Sequence, residues 1–278
     1  MMQVAAIQMA SGANLSANLL EAERLIAEAA ASGAGLVVLP ENFGLMLTPG
    51  IGGVAAAEPE GQGVIQDFLA EQALRHRIWL VGGTLPLRTL EPSRAYAATL
   101  VYSPAGERVA RYDKMHLFDA ELETGRERYH ESTDIKAGSR VVCVDTGACC
   151  IGLAIGYDLR FPELFRAMLD RGVQVIVIPA MFTVPTGRAH WETLLRARAI
   201  ENLSFVVAAA QGGYHINGRE TYGHSMIIDP WGTIISWRER GNGVITAKID
   251  LDRQSMLRRS FPSIDHRRLK CAAPMEDV

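Results

Sequence analysis

The feature that most limits what this chain can fold into is a series of short, unbroken apolar runs rich in β-branched residues. They are Val4 to Met9, Leu36 to Leu39, Ile78 to Gly82, Thr99 to Tyr102, Arg140 to Val144, Cys150 to Ile155, Val173 to Ile178, Phe205 to Ala210, Ser225 to Ile228 and Gly243 to Ile249. Runs of this length and composition predict about ten strands. Between several of them the apolar spacing becomes helical. Leu15, Leu19, Ala22, Ile26, Ala29 and Ala30 share one face of a helix that Gly33 can close, and Trp191, Leu194, Leu195 and Ala199 mark another. Strands and helices therefore alternate in the first half and around residues 160 to 210. Two turns, Asp145-Thr-Gly-Ala and Asp229-Pro-Trp-Gly, each lie between apolar runs and predict hairpins, so the sheets should be mixed. No Pro/Ser-rich linker and no repeat divides the chain, and we expect a single α/β domain over 1–278, its sheets covered by helices, with a short tail from about residue 262.

With 278 residues, 48% of them hydrophobic, the chain can bury one substantial core. A net charge of -3, from 28 basic and 31 acidic residues intermixed along the chain, offers no field for nucleic acid or an anionic membrane. The basic stretch Arg253 to Lys270 also holds Leu257, Phe261 and Ile264 and reads as a solvated helix face and tail. Cys143, Cys149, Cys150 and Cys271 lack CxxC spacing and form no disulfide framework, which suits a reducing compartment. No basic leader precedes the first apolar residues and no uncharged apolar run reaches about eighteen residues, so a cytoplasmic protein is expected.

Four places carry residues suited to chemistry. Glu41 follows the run Leu36-Val-Val-Leu, just past the end of a buried strand, where α/β folds place working groups; a solvated loop glutamate would look the same. Lys114 lies in an alternating stretch with Tyr112, Lys114 and His116 on one side, facing either a pocket or solvent at a sheet edge. His116 has no second ligand at metal spacing, so neither a metal nor a cofactor is expected. Glu131 sits in a polar loop beginning at Gly125, where most residues are merely solvated. Trp191 and Trp231 are expected to pack. The most specific stretch is Gly152-Leu-Ala-Ile-Gly-Tyr-Asp-Leu-Arg-Phe-Pro-Glu163, a strand handing over to a helix with Pro and an acid in its first turn. A residue at that junction, beside helix-terminal N–H groups, is placed as a nucleophile next to an oxyanion hole would be.

Leu39-Pro-Glu41-Asn, Lys114-Met-His-Leu-Phe-Asp, Glu131-Ser and Gly152-Leu-Ala-Ile-Gly156-Tyr-Asp-Leu-Arg-Phe-Pro-Glu-Leu, in this order, resemble the nitrilase superfamily of carbon–nitrogen hydrolases from about residue 2 to 270. The resemblance implies a four-layer α-β-β-α sandwich, a homodimer or higher even-numbered assembly, and an amidase working on a small-molecule amide. It implies Glu41 as general base, Lys114 and the Tyr157 N–H as stabilisers of the tetrahedral oxyanion, and Glu131 as the group that positions Lys114 and substrate. The nucleophilic cysteine of the family falls on Gly156, which has no atom to attack with, and Cys150 stands six residues back along the strand. The chain as written should be inactive in covalent amide hydrolysis. A natural binding pseudoenzyme and a recent or deliberate Cys→Gly change both fit, and the intact Glu41, Lys114 and Glu131 favour the second.

Tyr157-Asp158 stands where true nitrilases carry Trp-Glu, which points to the amidase-like branches rather than to nitrile hydrolysis, with an N-carbamoyl amino acid hydrolase or a nitrilase as the remaining alternatives. The segments 182–201, 208–215 and 222–232 look most like Nit1-type amidases of deaminated glutathione, ahead of ω-amidases acting on α-ketoglutaramate, which read Asn-Pro-Trp at Asp229-Pro-Trp. Tyr157, Phe182, Thr183 and His190 are the expected substrate-binding residues. Arg188, His190 and Arg219 are candidates for a substrate carboxylate, while Arg196 and Arg198 are expected in structural ion pairs.

Overall fold

The computed structural model describes residues 1–46, 54–121, 128–215 and 218–269; Gly125 to Glu127, Lys270 and Cys271 fall outside them. The first part of the chain supplies β1 (Met2–Gln8), β2 (Leu36–Val38), β3 (Trp79–Val81), β4 (Leu85–Arg88), β5 (Ala95–Tyr102), β6 (Arg108–Asp113), β7 (Asp119–Glu121) and β8 (Arg128–His130). The second supplies β9 (Cys143–Asp145), β10 (Cys150–Leu153), β11 (Val175–Ala180), β12 (Phe205–Ala210), β13 (Gly212–Tyr214), β14 (Glu220–Tyr222), β15 (Ser225–Ile228), β16 (Ile234–Arg238) and β17 (Gly243–Ile249). The helices are α1 (Leu15–Ala31), α2 (Val64–His76), α3 (Pro162–Leu169), the single turn α4 (Val184–Thr186), α5 (Glu192–Asn202) and α6 (Leu251–Ser260).

Two mixed sheets form. One runs β17-β1-β2-β3-β5-β4 with β6 added to β5, and the other runs β16-β15-β12-β11-β10-β9. The pairs β1/β2, β2/β3, β10/β11 and β11/β12 are parallel, and both expected hairpins, β9/β10 and β15/β16, are present. The unbroken apolar runs exist because the central strands are covered on both faces. Val4, Ala6, Leu36 and Val38 point into the space between the sheets and join Ile151, Val175 and Val177; Ala5, Ile7, Val37 and Leu39 point the other way, onto Leu25, Ile26 and Leu69 of α1 and α2. With α3 and α5 against the second sheet, the result is helices, sheet, sheet, helices.

Several short strands went unexpected because their composition is polar or mixed: β4, β7, β8, β13 and β14. The strand expected over Arg140 to Val144 begins later, because only Cys143–Asp145 pairs with β10. The basic stretch is also only partly solvated. Arg258 is half-buried and donates to the carbonyls of Leu203 and Val173 at 3.1 and 2.8 Å, fastening α6 to the second sheet's connections.

A polar clamp crosses the apolar interior. Gln8, fully buried at the end of β1, accepts from the N–H and hydroxyl of Ser225 on β15 at 3.0 and 2.9 Å and donates to the Gly241 carbonyl at 3.0 Å. Replacing it strands the buried N–H and hydroxyl of Ser225 in the second sheet. Gln8→Leu is therefore expected to cost about 1–3 kcal/mol in urea unfolding with an unchanged m-value.

Candidate active site

The carboxyl ends of the parallel strands of both sheets converge on one place, as open α/β sheets tend to arrange. Beyond β10 the chain enters a 3₁₀ turn, Gly156–Arg160, and then α3, with Pro162 in its first turn. Gly156 has φ +44°, the left-handed region that glycine enters without strain. Asp158 locks the turn. Its fully buried carboxylate accepts from the Ile155 N–H at 2.8 Å, the Tyr112 hydroxyl at 2.7 Å and the His116 N–H at 3.0 Å, and lies 2.8 Å from His116 Nδ1. Burial, reinforced by Asp158, pushes the Tyr112 hydroxyl well above its usual pKa, so it remains a donor. From the other side, Arg198 donates twice to the Leu159 carbonyl, at 3.1 and 2.8 Å.

Glu41 arrives from β2 through Leu39 and Pro40. The loop is pinned by Thr84, whose Oγ1 accepts from the Asn42 N–H at 2.8 Å, and by the close approach of the Pro40 carbonyl to Gly83, where a Cβ would collide with it. Lys114 continues β6, and Glu131 opens a 3₁₀ turn behind β8, its Oε2 accepting from the Phe118 N–H at 2.6 Å. The Lys114 ammonium joins all three elements, donating to Glu41 Oε1 at 2.9 Å and to both Glu131 oxygens at 2.8 and 2.9 Å. Glu41 and Lys114 are 4% and 3% exposed.

Two carboxylates, Glu41 buried and Glu131 partly exposed, face one ammonium. Burial raises the Glu41 pKa and the Lys114 charge only partly offsets it. Burial alone would lower Lys114, but Glu131 and Glu41 outweigh it and hold the pKa above the ordinary lysine value. While Oε1 of Glu41 is held by Lys114, Oε2 faces Gly156 so closely that a Cβ there would collide with it. The arrangement is a proton acceptor at the strand-to-helix junction with a fixed cation bonded to its other oxygen.

This cluster is the floor of a cavity of about 220 Å³. Tyr157, Phe182 and Thr183 line it as expected, and Asn42, Tyr129 and Met181 also do. Arg219 lines it as well, its guanidinium 5.3 Å from the Tyr129 ring centre. His190 does not. A π-helical stretch, Gly187–Trp191, resets the helix phase so that Trp191 turns inward, donating to the His224 carbonyl at 2.7 Å, while His190 is exposed with Nδ1 3.1 Å from an Arg160 nitrogen. Arg188 is exposed and outside the lining too. Arg196 and Arg198 pair with Glu192 and Glu201 as expected of structural residues. The residue missed is Arg160, in the wall between the Tyr157 and Phe182 rings at 5.6 and 5.2 Å. Burial lowers its pKa and no carboxylate pairs with it among the described residues. Its sequence signal was its position, four residues past Gly156 on the same turn.

Removing the lysine charge should expose the burial cost of the two acids. Lys114→Met is expected to lose about 3–5 kcal/mol of stability near pH 8. With the cation gone the folded-state pKa of Glu41 rises further above its unfolded value. The folded state then binds more protons, and stability should recover as pH falls toward 5. Chemical denaturation at the two pH values measures this; a loss equal at both would contradict the charge argument.

Comparison with known proteins agrees with this geometry. Residues 3–259 match the carbon–nitrogen hydrolase family. The chain is 41% identical over 270 residues to a deaminated glutathione amidase of Synechocystis sp., covering 95% of this chain and 97% of that protein. It is 38% identical over 269 residues to the human deaminated glutathione amidase, covering 95% and 82%. Among solved structures, the Caenorhabditis elegans NitFhit protein superposes with a TM-score of 0.88 at 38% identity over 96% of this chain, which spans 65% of that longer chain. Saccharomyces cerevisiae Nit3, of the nitrilase superfamily, superposes with a TM-score of 0.86 at 28% identity, covering 96% and 97%. A two-sheet sandwich whose Glu41, Lys114 and Glu131 meet at one strand end, matched over nearly its whole length, belongs to the carbon–nitrogen hydrolase family, hydrolases of carbon–nitrogen bonds other than peptide bonds, and within it to the amidases.

Proposed function

We propose that this chain is built as an amidase for a small carboxylate-bearing amide, deaminated glutathione foremost, and that glycine at position 156 withholds its nucleophile. The observation that carries this reading is the Glu41 carboxylate, which lines the cavity, holds Lys114 through one oxygen and faces Gly156 with the other. With a cysteine at 156, Glu41 would take the thiol proton as sulfur bonds to the amide carbon. The carbonyl electrons would move onto oxygen beside Lys114 and the Tyr157 N–H, one of the first N–H groups of the turn, which have no partner within it. Collapse would expel the amine with the proton held by Glu41, and water would then hydrolyse the thioester. Glycine supports none of the covalent steps, so the chain as it stands should not turn over by this route. Preservation of Glu41, Lys114 and Glu131 around an empty nucleophile position supports a Cys→Gly change in an otherwise competent site. Arg160, a half-buried guanidinium without a carboxylate partner among the described residues, is the group we assign to the substrate carboxylate.

Gly156→Cys is expected to bring cleavage of deaminated glutathione above that of α-ketoglutaramate. Because φ is positive there and Glu41 must retreat from the new Cβ, it should also cost about 1–3 kcal/mol of stability. Adding Arg160→Gln should raise KM about tenfold or more, with a smaller change in kcat. A second reading, a ligand-binding protein without catalysis, is favoured by the way Glu41 fills the space a Cβ would need. A folded Gly156→Cys chain that binds these amides by calorimetry and cleaves none of them would replace the first reading with the second.

A further inference from the structure

We propose that a second cavity, at the β6 end of the first sheet and the β9 end of the second, binds a small multivalent oxyanion, a phosphate ester or a dicarboxylate. It measures about 310 Å³ and shares no lining residue with the active-site cavity. Arg111, Lys136 and Arg140 line it together with Asp113 alone among carboxylates, and Ser139 adds a hydroxyl. Asp113 is engaged by Arg111 Nε at 2.8 Å. The other acids that meet these cations stand outside the lining and are half-exposed: Glu60, 2.6 Å from Arg111, and Glu91, 2.8 Å from Lys136. Such solvated pairs are weak and easily exchanged for a multivalent anion. Arg140 makes no ion pair among the described residues.

The walls are held in place before any ligand arrives. Arg111 lies over the Tyr96 ring at 4.9 Å. The Lys136–Arg140 segment is fixed by Lys136 N–H to the Ala95 carbonyl and Gly138 N–H to the Lys114 carbonyl, both at 2.8 Å, and Gly138 presses against Asp113 so tightly that a Cβ would collide with its carbonyl. Strand alternation gives the site its place in the molecule. Arg111 and Asp113 point one way from β6 into this cavity, while Tyr112 and Lys114 point the other way into the active site. An anion here would sit on the back of the strand that carries Lys114.

The test uses the full chain with sodium phosphate, sodium malonate and sodium chloride at matched ionic strength, read by thermal shift and calorimetry. Saturable stabilisation by phosphate or malonate, absent with chloride, is expected, and phosphate alone or malonate alone identifies the ligand class. Lys136→Glu/Arg140→Glu should weaken binding at least tenfold; the milder Arg140→Gln should weaken it measurably should the double variant fail to fold. Arg160→Gln should leave it unchanged. A non-saturating response equal in chloride overturns the proposal. So does binding lost in Arg160→Gln but retained in the Lys136 and Arg140 variants, which would place the anion in the active-site cavity.

Discussion

One ammonium organises this molecule. Lys114 lies between two carboxylates that approach from unrelated parts of the chain, one past β2 and one behind β8, and the buried one, Glu41, depends on it for its charge partner. A second buried carboxylate, Asp158, stands close enough to raise the Glu41 pKa, yet it is satisfied differently, by a phenol, two backbone N–H groups and an imidazole rather than by a cation. The two solutions are interlocked, because Tyr112 and His116, which serve Asp158, flank Lys114 along the same stretch of chain. Movement of the Lys114 strand would therefore disturb the strand-to-helix turn as well.

The two-sheet architecture explains how these pieces can meet at all. Each sheet contributes a parallel core, so both present carboxyl ends at one end of the sandwich. The first delivers Glu41 and the second delivers Gly156 and Phe182. Gln211, just past β12, ties the two halves together there: its amide donates to the Glu41 carbonyl at 3.0 Å and to Ser11 Oγ at 2.9 Å.

Much of this was legible in the chain because burial on two faces writes long apolar runs. Leu36-Val-Val-Leu and Cys150 to Ile155 announced strands, and the polar residues directly after them announced the site. The alternation of Tyr112, Lys114 and His116 was also readable, and all three reach the active-site network. What could not be read depends on contacts distant in sequence. The polar strands β7 and β8 exist through pairing with each other. The outward turn of His190 follows from a π-helical stretch that ordinary helix spacing does not anticipate. Arg160 shows itself as a cavity wall only when Phe182, from beyond the end of β11, meets Tyr157 of its own turn around it.

The glycine at 156 links stability to the proposed chemistry. A side-chain-bearing residue at φ +44° is strained by about 1–3 kcal/mol, and strain of this kind persists at working sites only where the surroundings enforce it. Here Asp158 and Arg198 hold the turn from both sides, and glycine occupies it without that strain. Glu41 lies in the space a Cβ at this position would need while bonded to Lys114. If position 156 is where a nucleophile belongs, as proposed, its loss relaxes the site without dismantling it. That is why the remaining residues keep a geometry suited to attack although nothing is there to make it.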